Sequence, residues 1–236
     1  MKDDAYHIAA IVLAGGRGKR MNTNMPKQYL QLNGYPVLYY SLKAFEKSPV
    51  DSIVLVCGKG EENYCREQIV EKYHLKKVKA IVQGGQERYH SVFNGLKMVK
   101  DSDYVLIHDG ARPFVTEEII ENNIKAVICK KACVTGVPSK DTVKIADVDG
   151  SVAQTPDRSR VWIVQTPQTF QTDLIYEAYE KILKEPEIHA TDDAMAVETA
   201  LKQPVYFVMG SYQNIKITTP EDLQIGEIFA RNSSNG

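Results

Sequence analysis

Short hydrophobic runs alternate with longer stretches of helical periodicity along the whole chain, and this alternation restricts the fold more than any other feature. Because the runs are nearly continuous, without polar alternation, they are typical of parallel strands covered by helices on both faces. Strands are predicted at residues 8–14, 53–57, 78–82, 104–107, 134–138, 161–164 and 205–208. Helices are predicted around residues 37–47, 61–73, 89–100, 116–131, 172–184, 192–202 and 220–231. The pattern indicates an α/β protein whose mostly parallel sheet is flanked by helices and joined by right-handed crossovers.

One segment departs from this alternation. Residues 141–155 alternate polar and apolar side chains on either side of Asp149-Gly150, a pair favoured in two-residue hairpin turns. Such a hairpin could lie at the edge of the main sheet, or it could project as a β-hairpin arm at about residues 139–158. A lone hairpin is marginally stable in water, so a projecting arm needs a cover, and a second subunit would provide one. No linker or repeat interrupts the chain, so residues 1–236 are predicted to form a single domain.

Composition excludes several functional classes. Lys and Arg total 29 against 30 Asp and Glu, so the chain lacks the basic excess of a nucleic-acid-binding protein. No apolar run approaches the roughly 20 residues of a transmembrane helix, and acids occupy the start, where a signal peptide has basic residues. The four cysteines do not have the spacing of a zinc site. These features predict a soluble, cytoplasmic protein with no nucleic-acid or membrane partner.

A glycine-rich loop directly follows the first predicted strand, where α/β proteins bind their ligands. Gly15, Gly16 and Gly18 leave space for backbone N–H groups to approach phosphate oxygens. The cations in and just after this loop are Arg17, Lys19, Arg20 and Lys27. Glycines and cations together favour polyphosphate binding over a simple tight turn.

Two common phosphate-binding motifs do not fit this loop. Counted from Gly16 and Gly18, the dinucleotide-binding fingerprint requires a third glycine where Met21 stands. A Walker loop ending at Gly18-Lys19 requires glycine at the position of Leu13 and serine or threonine at that of Arg20. The loop therefore argues against both an NAD-dependent oxidoreductase and a P-loop NTPase.

Two further groups of candidates follow predicted strands. The Asp109 carboxylate could meet a metal–nucleotide complex or a sugar hydroxyl, or it could simply pair with Arg112. Its neighbour His108 is expected to be a structural histidine rather than a general base. In the segment at residues 84–91, Ser91 could recognise a nucleobase, or it could only support the start of a helix.

These segments belong to an ordered series of motifs. In chain order the series is LAGGRGKRM with PKQY, GGQERYHSV, HDGARP, KDTVK, TPDRSRVW, QTPQTF, TDDA and NIKITTPEDL. The motifs lie between residues 13 and 223, and over about residues 8–229 the chain resembles the 2-C-methyl-D-erythritol 4-phosphate cytidylyltransferases of the non-mevalonate isoprenoid pathway. The ribitol 5-phosphate cytidylyltransferases share the first loop, HDxxRP and NIKIT, whereas KDTVK and TPDRSRVW favour the methylerythritol enzymes.

The resemblance implies a Rossmann-like nucleotidyltransferase fold and a Mg²⁺-dependent transfer of the cytidylyl group from CTP to methylerythritol phosphate. It also implies a homodimer in which the hairpin arm, with Asp141 and Arg158, completes the neighbouring active site. The residues implied to act on the phosphates or to hold the acceptor are Arg20, Lys27, Arg158, Thr191 and Lys216. The residues implied to bind the nucleotide are Ala14, Gly15, Gly16, Gly85, Gln86, Ser91, Asp109 and Arg112. Asp109 is further implied to reach the metal through water, and Gln86 stands where some relatives have an acid.

Two other functions compete with this interpretation. The first is a cytidylyltransferase for another polyol phosphate, such as ribitol 5-phosphate. The second is a regulatory module that binds CTP without turnover. That module gives no reason for Arg20, Lys27, Arg158 and Thr191 to occur together.

Overall fold

The computed structural model describes residues 6–16, 18–21, 25–185 and 190–233, and a seven-stranded sheet runs through this part of the chain. In chain order the strands are β1 (Ile8–Ala14), β2 (Gln31–Leu32), β3 (Tyr35–Pro36), β4 (Ser52–Cys57), β5 (Val78–Gln83), β6 (Tyr104–Asp109), β7 (Ala132–Pro138), β8 (Ile145–Ala146), β9 (Val152–Gln154), β10 (Trp162–Gln171) and β11 (Tyr206–Met209). The helices are α1 (Val37–Lys47), α2 (Glu62–Tyr64), α3 (Arg88–Leu96), α4 (Glu117–Lys130), α5 (Thr172–Lys184), α6 (Asp193–Leu201) and α7 (Pro220–Ser233). The α2 helix continues as a π-helical segment, Cys65–Glu71. Among the described residues, no helix is long and apolar enough to cross a lipid bilayer.

The main sheet has the strand order β11-β7-β10-β6-β1-β4-β5. Within it β10 runs antiparallel to both of its neighbours, and the other pairs are parallel. The predicted α/β architecture, with a mostly parallel sheet between helices, is therefore confirmed.

Strand β10 is longer than the predicted strand at residues 161–164. It continues to Gln171 across Pro167, and its pairing with β7 shifts register between Val164 and Gln168. Proline cannot donate a backbone hydrogen bond to a neighbouring strand, so Pro167 argues against a strand on sequence grounds. The structure accommodates the proline at the irregularity, and the polar residues of β10 lie between Gln165 and Gln171.

The core lies on both faces of the sheet. On β1, Ala10 and Val12 belong to the cluster formed with α1, whereas Ala9 and Ile11 belong to the cluster formed with α3 and α5. Because successive side chains of a strand point to opposite faces, a strand buried on both faces must be apolar at every position. This is the physical reason for the continuous hydrophobic runs.

The strand order reverses at β1. The chain passes from β1 to β4 on one side, and β6 later pairs with the other side of β1. In open α/β sheets, ligands bind at the carboxyl ends of the strands beside such a reversal. Here Ala14 ends β1 next to Cys57 of β4, and Leu13 pairs with Asp109 at the end of β6.

The hairpin predicted at residues 141–155 is formed by β8 and β9, and every residue of the two strands is exposed. Its loop holds three residues rather than two, because Asp147 N–H donates to the Ser151 carbonyl at 2.9 Å. Gly150 has φ +86°, and its N–H donates to the Asp147 carbonyl at 3.0 Å. A tight turn followed by a left-handed glycine is the usual three-residue hairpin loop. The hairpin pairs with no strand of the main sheet among the described residues.

Candidate active site

The loops after β1, β4 and β5 lie side by side at the carboxyl edge of the sheet. Gly84 N–H donates to the Cys57 carbonyl at 2.8 Å. A Cβ on Gly15 would lie 3.3 Å from the same carbonyl oxygen, a tight contact. The glycine-rich loop and the segment that begins at Gly84 therefore form one continuous surface of backbone groups.

The turn after β5 needs glycine and is tied to α3 by Ser91. A Cβ on Gly85 would lie only 2.2 Å from His90 Cβ, so a side chain at this position would displace the start of α3. Gly85 N–H donates to Ser91 Oγ at 3.0 Å, and Ser91 Oγ donates to the Glu87 carbonyl at 3.2 Å. Ser91 thus supports the start of the helix, and Gln86 is exposed beside it.

Lys27 lies on a 3-10 turn, Lys27–Tyr29, that side-chain hydrogen bonds hold in place. Gln28 Nε2 donates to the Ala14 carbonyl at 2.5 Å, and Tyr29 OH donates to Glu61 Oε2 at 2.7 Å. Burial and the nearby Lys216 ammonium lower the pKa of Lys27 to about 8. Arg20 is exposed and also lowers this pKa, so three cations act on one region. Arg17 and the side chain of Lys19 lie outside the described residues.

Asp109 is the anion at the centre of the site. Lys216 Nζ lies 2.6 Å from Asp109 Oδ2, Arg88 Nη2 lies 3.7 Å from Oδ1, and the Asp109 side chain is 13% exposed. Although burial opposes ionisation, Arg88 and Lys216 hold the pKa of Asp109 well below its usual range. The simple alternative, a pair with Arg112, is not what forms. Arg112 instead donates to the carbonyls of Asn214 at 2.8 Å and Val164 at 3.4 Å.

His108 is the structural histidine that the sequence predicts. It is fully buried, with Nδ1 3.0 Å from Thr166 Oγ1 and Nε2 3.2 Å from the Arg112 carbonyl. Thr166 Oγ1 also accepts from the Asp109 N–H at 3.0 Å. Burial lowers the pKa of His108 to about 4, so the ring is neutral at physiological pH.

This histidine should make the fold sensitive to mild acid. Since its pKa is about 4 in the folded chain and about 6.5 when unfolded, only the unfolded state gains the proton between these values. We expect the free energy of unfolding to fall by about 3 kcal/mol as the pH drops from 6.5 to 4. Urea denaturation of the wild type and of His108→Gln across this range measures the effect. The variant should lose this component, and equal pH slopes for the two proteins would contradict the assignment.

A cavity of about 240 Å³ opens next to Asp109. Its walls come from the end of β6, the middle of β10, the starts of α3 and α6, and the segment before α7. The lining residues are Arg88, Asp109, Arg112, Val164, Gln165, Thr166, Gln168, Thr191, Asp192 and Lys216. Three cations, Arg88, Arg112 and Lys216, line the cavity together with two carboxylates, so the balance of charge suits a phosphorylated ligand.

A family model described as IspD, 2-C-methyl-D-erythritol 4-phosphate cytidylyltransferase, matches residues 8–232. The chain belongs to this family. The match covers nearly the same residues as the motif series, and the resemblance inferred from those motifs is confirmed.

Relatives and solved structures agree with the IspD assignment over the whole matched length. A 2-C-methyl-D-erythritol 4-phosphate cytidylyltransferase of Lachnoclostridium phytofermentans is 52% identical over 224 residues, covering 95% of this chain and 96% of the relative. The protein of that name from Caldanaerobacter subterraneus subsp. tengcongensis is 48% identical, covering 95% and 99%. The crystal structure of a 4-diphosphocytidyl-2C-methyl-D-erythritol synthase from Anaerococcus prevotii superposes with a TM-score of 0.85 at 39% identity, covering 96% of each chain.

The structure brings most of the residues predicted from sequence to one edge of the sheet. Asp109, Arg112, Thr191 and Lys216 line the cavity, and Lys27 lies close enough to Lys216 for the two charges to interact. Beside the cavity, the chain from the end of β1 into its loop holds Ala14, Gly15 and Gly16, and the chain from the loop after β5 into the first turn of α3 holds Gly85, Gln86 and Ser91. Arg158 does not line the cavity of its own chain. It lies in the exposed turn after the hairpin, where its Nη1 is 3.5 Å from the Lys140 carbonyl.

Sequence reasoning missed several residues of the IspD cavity. Arg88, Gln168 and Asp192 line the cavity, and a fully buried Asp193 binds Arg88 from behind. The signal was present in the motifs, since Arg88 belongs to GGQERYHSV and both aspartates belong to TDDA. The two motifs lie more than 100 residues apart, and only the fold shows that they meet.

The donor set next to the cavity is compatible with Mg²⁺. The described residues contain no group of three or more His, Cys, Asp or Glu that could hold a metal ion, so no all-protein cage forms there. Magnesium usually binds through one or two carboxylates together with substrate phosphates and water. Asp109 supplies an ionised oxygen donor at the cavity wall, which is the protein contribution that such a site needs.

Proposed function

We propose that this chain transfers the cytidylyl group of CTP to 2-C-methyl-D-erythritol 4-phosphate in a Mg²⁺-dependent reaction. The products are 4-diphosphocytidyl-2-C-methyl-D-erythritol and pyrophosphate, and the reaction serves isoprenoid precursor biosynthesis. The observation that carries the proposal is the Asp109–Lys216 pair at 2.6 Å, with Lys27 beside it, in a chain of the IspD family. We also propose that the reaction takes place in the cytoplasm.

The reaction needs little covalent participation by the protein. A phosphate oxygen of the acceptor attacks the α-phosphorus of CTP and forms a new P–O bond. The bond between the α-phosphorus and the oxygen that bridges it to the β-phosphate breaks, and pyrophosphate leaves with the electron pair of that bond. Catalysis then depends on in-line positioning and on cations that meet the charge developing on the transferred group. Arg20, Lys27 and Lys216 supply such cations at the carboxyl end of β1 and beside β6.

We expect different loops to bind the two substrates. Backbone groups of Ala14, Gly15 and Gly16 would bind the triphosphate, because nothing lies within 4 Å of a Cβ position on Gly16. Gly85, Gln86 and Ser91 would bind cytosine and ribose, with Arg112 near the ribose. Thr191, which lines the same cavity as Asp109, would hold the acceptor phosphate.

Asp109 would hold Mg²⁺, directly or through a water of its hydration shell. When bound, the ion neutralises charge on the phosphates of CTP. Lys216 now occupies the Asp109 oxygen at 2.6 Å, so its ammonium would move from the carboxylate to a phosphate oxygen as the substrate complex forms.

We also propose that the chain works as a homodimer joined through the hairpin arm. The side chains of Ile145, Val148 and Val152 are 48%, 108% and 59% exposed, which is unusual for apolar residues of a hairpin. Arg158 lies at the end of this arm, near the Lys140 carbonyl, and does not line the cavity of its own chain. A partner subunit that covers the arm would bring Arg158 to the neighbouring acceptor site.

The test is acceptor-dependent release of pyrophosphate from CTP. Release that requires both Mg²⁺ and methylerythritol 4-phosphate, and stops with EDTA, is the expected result. Release only with ribitol 5-phosphate would replace the acceptor by another polyol phosphate. CTP binding without release, with either acceptor, would favour the regulatory module and contradict the proposal.

A further inference from the structure

A buried ion pair joins the two loops that flank the cavity. Arg88 is the first residue of α3, directly after the turn that contains Gly85, and Asp193 is the first residue of α6, directly after Thr191 and Asp192. The Arg88 guanidinium binds the Asp193 carboxylate through two hydrogen bonds, of 2.7 and 2.6 Å. Paired planar groups of this kind fix distance and orientation together.

The carboxylate end of this pair is completely enclosed. Asp193 has no exposed surface, and Tyr179 OH on α5 donates to its Oδ1 at 2.5 Å. Although burial disfavours the charged guanidinium, Asp193 raises the pKa of Arg88 well above its ordinary value. Asp193 therefore holds Arg88 in place, because moving the guanidinium away would leave the Asp193 carboxylate buried without a compensating charge.

The guanidinium end of the pair reaches the cavity. Arg88 is 32% exposed, it lines the cavity, and its Nη2 lies 3.7 Å from Asp109 Oδ1, on the side opposite Lys216. If Lys216 moves to a phosphate, the Arg88 guanidinium still lies beside Asp109 Oδ1. An ion pair that served only the stability of the fold would not need to be exposed to the cavity.

We propose that Arg88, anchored by Asp193, is a positioning residue that sets the spacing between the nucleotide loop at residues 84–86 and the acceptor loop at residues 191–192, and that orients the Asp109 carboxylate. The inference rests on the proposed function for the roles of these loops. Partners that orient a metal-binding or catalytic carboxylate commonly affect affinity or activity by about 10- to 100-fold. Arg88 has this relation to Asp109.

Three variants separate positioning from simple stability. Arg88→Met removes the guanidinium and leaves Asp193 buried without a partner, so both melting temperature and activity should fall. The double variant Arg88→Met/Asp193→Asn removes both charges and keeps an oxygen that can accept from Tyr179 OH. Arg231→Met, on the exposed surface of α7, is the matched control.

The expected result is that the double variant recovers most of the melting temperature but not the activity. Its kcat/KM should stay about 10- to 100-fold below that of the wild type for both CTP and the acceptor, because the ion pair that joins the two loops is gone. Its Kd for CTP, measured by calorimetry without acceptor, should rise as well. Recovery of activity together with melting temperature would overturn the proposal and reduce the pair to a structural role.

The outcome for Arg88 can be separated from the outcome for the proposed function. If the wild type releases no pyrophosphate with any acceptor, the proposed function fails. The positioning role of the Arg88–Asp193 pair is then tested by CTP affinity alone. An unchanged Kd for CTP in the double variant would then overturn the inference. A raised Kd in the double variant, with Arg231→Met unchanged, would support it.

Discussion

Replacing Lys27 by methionine is expected to lower kcat about a thousandfold while the fold survives. The Lys27 ammonium lies on a turn held by Gln28 and Tyr29, beside Lys216 and at the end of β1. A preorganised cation of this kind acts where charge develops in the transition state, so its loss should appear mainly in kcat rather than in substrate binding. The measurement is steady-state pyrophosphate release with both substrates varied, together with the melting temperature.

A charge-conserving variant and the pH profile sharpen this test. Since burial and Lys216 lower the pKa of Lys27 to about 8, kcat/KM should fall as the pH rises through 8 and the ammonium loses its proton. Lys27→Arg should retain measurable turnover and lose this alkaline fall, because a guanidinium stays protonated. Lys125→Met, on the exposed surface of α4, is the control. A kcat for Lys27→Met within tenfold of the wild type would contradict the role.

The fold was predictable because the positions of buried apolar residues along the sequence reflect the helices and strands that bury them. Helix α1 begins and ends at the predicted residues, Val37 and Lys47, and so does α5, at Thr172 and Lys184. The strand β1 is apolar at every position because helices cover both of its faces. Where a local rule conflicts with the tertiary structure, as at Pro167 in β10, the prediction ended too early.

The candidate site was predictable only where its chemistry is local. The glycine loop and Asp109 follow strands directly, so their position at the carboxyl edge could be inferred from the fold class. The contact between Arg88 and Asp193 spans 105 residues and depends on how α3 and α6 pack. No pattern within either motif specifies that contact.

The position of Arg158 leads to the second large effect, which is complementation between two inactive chains. Arg158 lies in an exposed turn after the hairpin and does not line the cavity of its own chain. If a homodimer shares its arms, each site combines Lys27 of one chain with Arg158 of the other. Lys27→Met and Arg158→Ala should each be at least about a hundredfold less active when assayed alone with acceptor below its KM.

Mixing the two variants should then restore activity that neither has alone. In a mixed dimer, one site keeps Lys27 from the Arg158→Ala chain and Arg158 from the Lys27→Met chain, and the other site lacks both. Random exchange makes half of the dimers mixed, so the mixture should reach about a quarter of wild-type activity if subunits assort freely in a two-fold dimer. Deleting residues 141–155 from either variant removes the arm formed by β8 and β9 and should abolish the recovery, with a monomer seen by analytical ultracentrifugation. A mixture of co-refolded, verified dimers that stays as inactive as its parents would mean that each site uses its own Arg158, and the shared-arm proposal would then be wrong.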